Sequence, residues 1–410
     1  MLGPGLITGA SDDDPSGIGT YSQVGSQFGF GLLWSAVFTF PLMAAVQELC
    51  ARIALQTGVG LGVSLRRKFP TWLVAVCILA LVLANTVNLG ADLGAVAAGA
   101  SLLTRGSVAP VWLLAPAAVL VLGLQLFAAY DLIFKVFKWL TVSLFAYVIA
   151  GLLVRPPALA VLRATFVPHL ELTPAFISSL VAVLGTTISP YLFFWQASSE
   201  VDERRARSGG SGTRPGGVRR RELTAAREDV LVGMVASQVV MYFIILTSGA
   251  VLHAHGKTDV QTAAQAAQAL EPLAGPAAVF LFGIGLVGTG LLAIPVLSAS
   301  AAYAVKEFLG LRGSLRDTPT HRPTFYGIIV LSTLVGLGMN FLHLNPVRAL
   351  FLTAVINGLV APPLLVLIVL LGSDRRVMQR QVSGPWSRAL TWVAAGLMTA
   401  AALALLVTSL

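Results

Sequence analysis

Eleven apolar runs dominate the sequence, each close to the length of helix that crosses a bilayer, and they commit the chain to an all-α integral membrane fold. They lie at roughly 3–23, 29–54, 71–100, 110–128, 132–154, 174–198, 229–252, 274–305, 324–343, 347–371 and 388–409, divided by proline, glycine and charge clusters. About 20 apolar residues suffice to cross the hydrocarbon. Lipid offers backbone groups no hydrogen-bond partners, so such runs cross as helices. Only 11% of the residues are charged, less than half the roughly 25% of soluble domains, as expected of a surface that mostly faces lipid. Cys50 and Cys77 fall inside apolar runs and give no disulfide framework. Met1 is followed at once by Leu2-Gly3-Pro4-Gly5, so no cleavable signal peptide is expected ahead of the first run.

A net charge of +9 raises the question of nucleic acid, but its placement answers it. With the N-terminus in the cytoplasm, all of the 27 basic residues except Arg105, Arg155, Arg163, Lys257 and Arg348 fall on the inner side, in loops or at the inner ends of the runs. That is the positive-inside pattern of a multi-pass protein of the cell (plasma or inner) membrane. A long hydrophilic segment, 202–228, reads as a flexible basic cytoplasmic linker around Ser208-Gly209-Gly210-Ser211-Gly212. Its partner is then anionic lipid rather than nucleic acid.

Three carboxylates, Asp12, Asp13 and Asp14, sit in the middle of the first run. Each costs at least ~2.5 kcal/mol at the centre of a membrane helix, so they require water, a cation or a partner. Pro15 removes a backbone donor and Gly17 permits an opened turn, so the helix is expected to unwind here. Freed carbonyls and carboxylate oxygens form a site for a hard cation. The competing possibility is that the aspartates lie at a helix end facing water. The sixth run has the same grammar, with Thr186-Thr187-Ile188-Ser189-Pro190-Tyr191 interrupting an apolar helix. Broken helices in corresponding places of two halves point to a transporter site between inverted repeats. The repeats are expected at 1–155 and 174–371, with 388–410 an additional helix.

Other intramembrane polar residues are Asn85, Asn88 and Asp92 on the third run, Gln196 on the sixth, Gln238 on the seventh and Asn357 on the tenth. Spacings of three and four put Asn85, Asn88 and Asp92 on one helix face, which would line a wet path. A single amide also suits a plain interhelical hydrogen bond. Glu48, four residues before Arg52, is expected in a structural ion pair. His253 and His255 fall in an outer loop and are expected to be solvated rather than metal-bound.

These residues resemble the NRAMP family of divalent-metal transporters. Gly3-Pro4-Gly5, Asp14-Pro15-Ser16-Gly17, Gly25-Ser26-Gln27-Phe28-Gly29 and Leu32-Leu33-Trp34 match that family's first helix and the loop after it. Ala91-Asp92-Leu93 resembles its helix-3 stretch Ala-Thr-Asp-Leu, and the helix-6 break falls in the expected place. The resemblance implies a LeuT-like 5+5 inverted repeat with discontinuous helices 1 and 6, and alternating access. It also locates departures. Gly17 stands where the family's Asp-Pro-Gly-Asn has its Asn, and Ser189 where a Met is usual. Tyr191 and Gln196 replace two histidines, and Ala95 replaces a Glu.

Without the soft thioether, hydroxyl, carbonyl and carboxylate oxygens remain, which suit Mg²⁺ or Mn²⁺. The pattern looks like the NRAMP-related magnesium-transporter branch, and the lost His and Glu take titratable groups out of the family's proton path. The expected function is transport of divalent cations of the Mn²⁺/Mg²⁺/Fe²⁺ class, leaning to hard ions. The expected ligands are Asp14, Ser11, Gly17, Thr186, Thr187 and Ser189. Asp12, Asp13, Asn85, Asn88, Asp92, Tyr191, Gln196 and Asn357 line the path or relay protons. No cofactor is implied, the cation being the substrate, and a monomer is expected. The alternatives are a LeuT-like symporter of another solute and an intramembrane aspartyl enzyme using Asp14 with Asp92.

Overall fold

The computed structural model describes residues 3–127, 142–207, 218–342 and 345–408. Helices of eight residues or more are α1 Pro4–Asp12, α2 Pro15–Phe28, α3 Trp34–Thr57, α4 Leu61–Lys68, α5 Thr71–Leu103, α6 Pro110–Phe127, α7 Ala146–Val154 and α8 Ala158–Phe166. They continue with α9 Pro174–Thr187, α10 Pro190–Arg207, α11 Arg220–Val251, α12 Ala278–Leu309, α13 Pro323–Met339, α14 Pro346–Gly372 and α15 Pro385–Thr408. No strand occurs among the described residues. Among the described residues eight helical stretches are long and apolar enough to cross a membrane, and α13 is a shorter apolar helix. The first run appears as two helices, α1 and α2. Of the fifth, α7 is described, while 132–141, with Lys135 and Lys138, lies outside the described residues, as does the linker core 208–212.

Two extents differ from expectation. Helix α10 runs on to Arg207 and α11 starts at Arg220, so both ends of the expected 202–228 linker are helical. Cations at Arg204, Arg205 and Arg207 suit the end of α10, and Glu203 pairs with Arg207 one turn on. At the start of α11 the Glu222 carboxylate accepts the Arg219 backbone N–H at 2.7 Å, which satisfies an orphan donor. The Glu48–Arg52 pair is present, with Arg52 Nε donating to Glu48 Oε1 at 2.8 Å. Nearby on the same basic face, Lys68 Nζ donates to Asp374 Oδ2 at 2.8 Å and holds that carboxyl below its usual range.

Lipid gives helices little hydrophobic reason to associate, so close backbone approach between small residues carries the packing. Helix α1 lies directly on α11. A Cβ on Gly9 would stand 2.2 Å from the Gly233 carbonyl oxygen, and one on Gly233 would stand 2.3 Å from that of Gly5. Helix α9 meets α14 in the same way, a Cβ on Gly185 falling 2.1 Å from Ala354 O. The long helices α5 and α12 pack along each other. Both broken segments therefore touch their neighbours through glycine, which fixes the position of each break. Trp72, Trp112 and Trp386, at the starts of α5, α6 and α15, are 69%, 75% and 82% exposed, as in the aromatic belts of membrane proteins.

Candidate functional site

The first break falls at Asp13 and Asp14, whose backbone leaves the helical region with ψ of 48° and 169°. Pro15 opens α2 at the position where a missing N–H costs nothing. Asp14 is the N-cap: its Oδ1 accepts Gly17 N–H at 2.7 Å and Ser16 Oγ–H at 2.6 Å. Gly17 is thus not the opened residue that its sequence suggested. It lies in the first turn of α2, where a Cβ would stand 3.2 Å from Thr186 Oγ1 and 3.3 Å from Asp12 O. Its bare backbone lets the two breaks meet. The second break is at Ile188, with φ −110° and ψ 58°, before Pro190 opens α10. The Ser189 hydroxyl turns back onto α9, 2.8 Å from Gly185 O and 2.7 Å from Thr186 O.

Asp14 Oδ2 faces two other helices. Asn88 Nδ2 of α5 donates to it at 3.1 Å, and Tyr191 Oη of α10 lies 3.3 Å away while donating to Ser11 O at 2.7 Å. One carboxylate therefore gathers groups from the first, third and sixth spans. On the two broken segments and α5, Ser11 Oγ, Thr186 Oγ1 and Asn88 Oδ1 are buried without a hydrogen-bond partner. Asp92, one turn beyond Asn88, is fully buried beside the backbone of Ser16. Asp14 and Asp92 do not share a hydrogen bond, which a protease-type aspartate pair would need.

The other two aspartates turn to α11. Ser237 Oγ donates to Asp12 Oδ2 at 2.6 Å and lies 3.3 Å from Asp13 Oδ1. Thr187 joins this side: its hydroxyl donates to Met241 Sδ at 3.7 Å and lies 3.4 Å from Tyr21 Oη. Ser237 and Met241, one turn apart on α11, and Tyr21 were not singled out from the sequence. The four-residue spacing of Ser237 and Met241 was the available signal.

Side chains tie α1 to its neighbours on the side away from α2. Thr8 of α1 donates to Gln196 Oε1, and Gln196 Nε2 donates to Glu200 Oε1 at 3.0 Å. Asp229 of α11 accepts Gly3 and Gly5 N–H at 3.1 and 2.6 Å, capping α1 from another helix. Glu200 and Asp229 also escaped the sequence reading, because they lie near helix ends among other charges. Asn85 Nδ2 reaches Leu297 O of α12 at 3.4 Å, and the buried Asn357 has no partner at either amide atom. Gln238 bridges Thr39 and Met43 of α3. Asp12, Asp13, Asp14 and Asp92 are all at most 5% exposed, so the centre is occluded. Among the described residues no three His, Cys, Asp or Glu side chains converge as a metal cluster. The arrangement at Asp14 is instead a single carboxylate met by two hydroxyls, a side-chain amide and a backbone N–H, all of them neutral.

Comparisons with known proteins bear on the family and the fold. The divalent metal cation transporter MntH of Pectobacterium carotovorum is 28% identical over 94% of this chain and 89% of its own length. MntH of Klebsiella pneumoniae strain 342 is 28% identical over 96% and 90%. Among solved structures, the Eremococcus coleocola manganese transporter superposes with a TM-score of 0.75 at 17% identity, over 98% of this chain and 85% of that one. Mhp1, a nucleobase-cation-symport-1 family transporter, superposes with a TM-score of 0.62 at 18% identity, over 100% and 91%. The profile of the family described as natural resistance-associated macrophage protein-like matches residues 5–408, so the chain belongs to the NRAMP family.

Proposed function

We propose that this protein carries divalent metal cations across the membrane by alternating access, with Asp14 as the charged ligand. The observation that carries the reading is the convergence on Asp14 of groups from α2, α5 and α10, where two helix breaks face each other. A buried carboxylate is expensive in a membrane, and its partners here are neutral donors rather than a countercharge. A divalent cation supplies the missing charge. The direct oxygens of the site are then side-chain groups: Asp14 Oδ2, Thr186 Oγ1 and Ser11 Oγ. The carbonyls of Ser11 and Thr186 already accept hydroxyl protons and have one lone pair left each.

Alternating access is supported by reciprocal packing. The first span rests on α11, and α10 of the sixth span rests on α3. Each half thus lays its broken span on the second span of the other, as inverted repeats at 1–155 and 174–371 would. Helix α15 stands outside the exchange. The excess of Lys and Arg on one face supports a cytoplasmic N-terminus in a plasma or inner membrane, and a monomer contains every group the site uses. The family comprises transporters, which leaves the enzyme reading without support. Mhp1 shares the fold at 18% identity, which is a likeness of architecture and says nothing of its solute for this chain.

The donor set also sets the ion preference. Every group on Asp14 is oxygen or nitrogen, and the nearby thioether of Met241 is turned to Thr187 on the α11 side. Hard oxygen ligands discriminate weakly between Mg²⁺ and Mn²⁺. In proteoliposomes Mg²⁺ is expected to inhibit Mn²⁺ uptake at concentrations comparable to those of Mn²⁺ itself. A strong preference for Mn²⁺ or Cd²⁺, with Mg²⁺ inert as a competitor, would contradict the hard-ligand site.

A further inference from the structure

We propose that Asn88 is a direct cation ligand that reverses its amide on loading, returning to the site the amide oxygen absent at Gly17. This rests on Asp14 being the transport site and adds a ligand from a third helix. The carboxylate of Asp14 can only accept, so with no cation bound it is the Asn88 nitrogen that must face it, and Nδ2 lies 3.1 Å from Oδ2. The cost falls on the other end of the same amide. Asn88 Oδ1 is buried without a partner in a residue that is 0% exposed, and an unmet buried acceptor costs about 1–3 kcal/mol in general.

Half a turn about the terminal torsion exchanges the two ends. That torsion is broad and roughly two-fold, so both orientations are accessible without strain at χ1. The reversed amide places Oδ1 where Nδ2 now lies, 3.1 Å from Asp14 Oδ2. Two acceptor oxygens at that separation repel unless a cation joins them. For oxygen ligands about 2.1 Å from Mg²⁺, neighbouring corners of an octahedron are about 3.0 Å apart. The Asn88–Asp14 pair therefore already has the length of one octahedral edge. In one orientation the amide steadies the unloaded carboxylate, and in the other its oxygen ligates the ion.

The plainer role, an interhelical hydrogen bond and nothing more, predicts a different order of variants. If Asn88 only donates to Asp14, Asn88→Leu destabilises the cation-free protein but leaves Mn²⁺ affinity close to wild type, while Asn88→Asp adds a charge that favours a cation under either role. If Asn88 ligates, Asn88→Asp keeps an oxygen at the ligand position and Asn88→Leu, of similar shape, removes it. The experiment is equilibrium Mn²⁺ binding to the purified full-length protein by titration calorimetry, with thermal unfolding recorded for each variant. Asn88→Leu is expected to bind at least tenfold more weakly than wild type, and Asn88→Asp more tightly than Asn88→Leu. Wild-type affinity in Asn88→Leu, or Asn88→Asp no tighter than Asn88→Leu, would overturn the assignment. Absence of Mn²⁺ binding by the wild type would instead sink the Asp14 transport reading, and the role of Asn88 with it.

Discussion

Asp14→Ala is expected to reduce divalent-cation uptake into proteoliposomes at least 100-fold while the protein still purifies as a folded, monodisperse species. Removing one partner of a buried charge interaction costs about 2–5 kcal/mol of binding, and a factor of 100 needs only about 2.7 of these. The fold survives because two effects oppose each other. The N-cap of α2 is lost, at about 1 kcal/mol, together with acceptors for Gly17, Ser16 and Asn88. Against that, a carboxylate is no longer held at membrane depth. Asp14→Asn separates charge from shape: it keeps a capping oxygen and should still transport poorly. Asp12→Ala and Asp13→Ala, whose carboxylates face Ser237 rather than Asn88 and Tyr191, should retain more uptake than Asp14→Ala. Equal loss in all three would place the ion elsewhere along the acidic run.

The second large effect is expected from Gly9→Leu on α1. Its Cβ would stand 2.2 Å from Gly233 O, 2.3 Å from Gly233 C and 2.6 Å from Gly233 Cα, all backbone atoms of α11 that cannot rotate away. Helix α1 must then lift off α11. Doing so breaks the Asp229 cap on Gly3 and Gly5 and the Thr8–Gln196 contact toward the basic face. Overpacking of this kind typically costs 1–3 kcal/mol, enough to hold the path open on that side. Uptake should fall at least tenfold, and a cysteine in place of Ser11 should become reactive to a thiol reagent applied from that face. Gly396→Leu on α15, where a Cβ meets nothing within 4 Å, is the matched control and should behave as wild type. Unchanged uptake and no labelling in Gly9→Leu would show that the α1–α11 contact does not keep that side closed.

Much of this centre was legible in the sequence because membranes make exceptions visible. Three aspartates before a proline, inside an apolar run, are too costly to be incidental, and the break at Asp13 and Asp14 lies among them. The interruption at Thr186–Tyr191 contains the second break, which falls at Ile188. Glu48 and Arg52 were readable because four residues make one helical turn. What the sequence withheld was the direction each polar group takes once helices pack. Ser189 stands where a ligand was expected, yet its hydroxyl bonds its own helix, as Ser and Thr in helices often do. Asn88 and Tyr191 were expected along the path, but that they meet at Asp14, across 74 and 177 residues of chain, was not readable. The division of the aspartates between Asn88 on one side and Ser237 on the other depends on which helix lies where. No local periodicity encodes that. The extension of α10 and α11 past the bilayer was missed for the opposite reason: charge was read as linker where it caps and pairs along helices.

The most direct measurement is uptake of Mn²⁺ and of Mg²⁺ into sealed proteoliposomes carrying the wild-type protein or Asp14→Ala, with internal pH recorded in the same vesicles. Transport through the Asp14 site predicts that both ions enter wild-type vesicles at comparable rates and that neither enters Asp14→Ala vesicles faster than protein-free liposomes. Entry of neither ion into wild-type vesicles, or equal entry with Asp14→Ala, would contradict it.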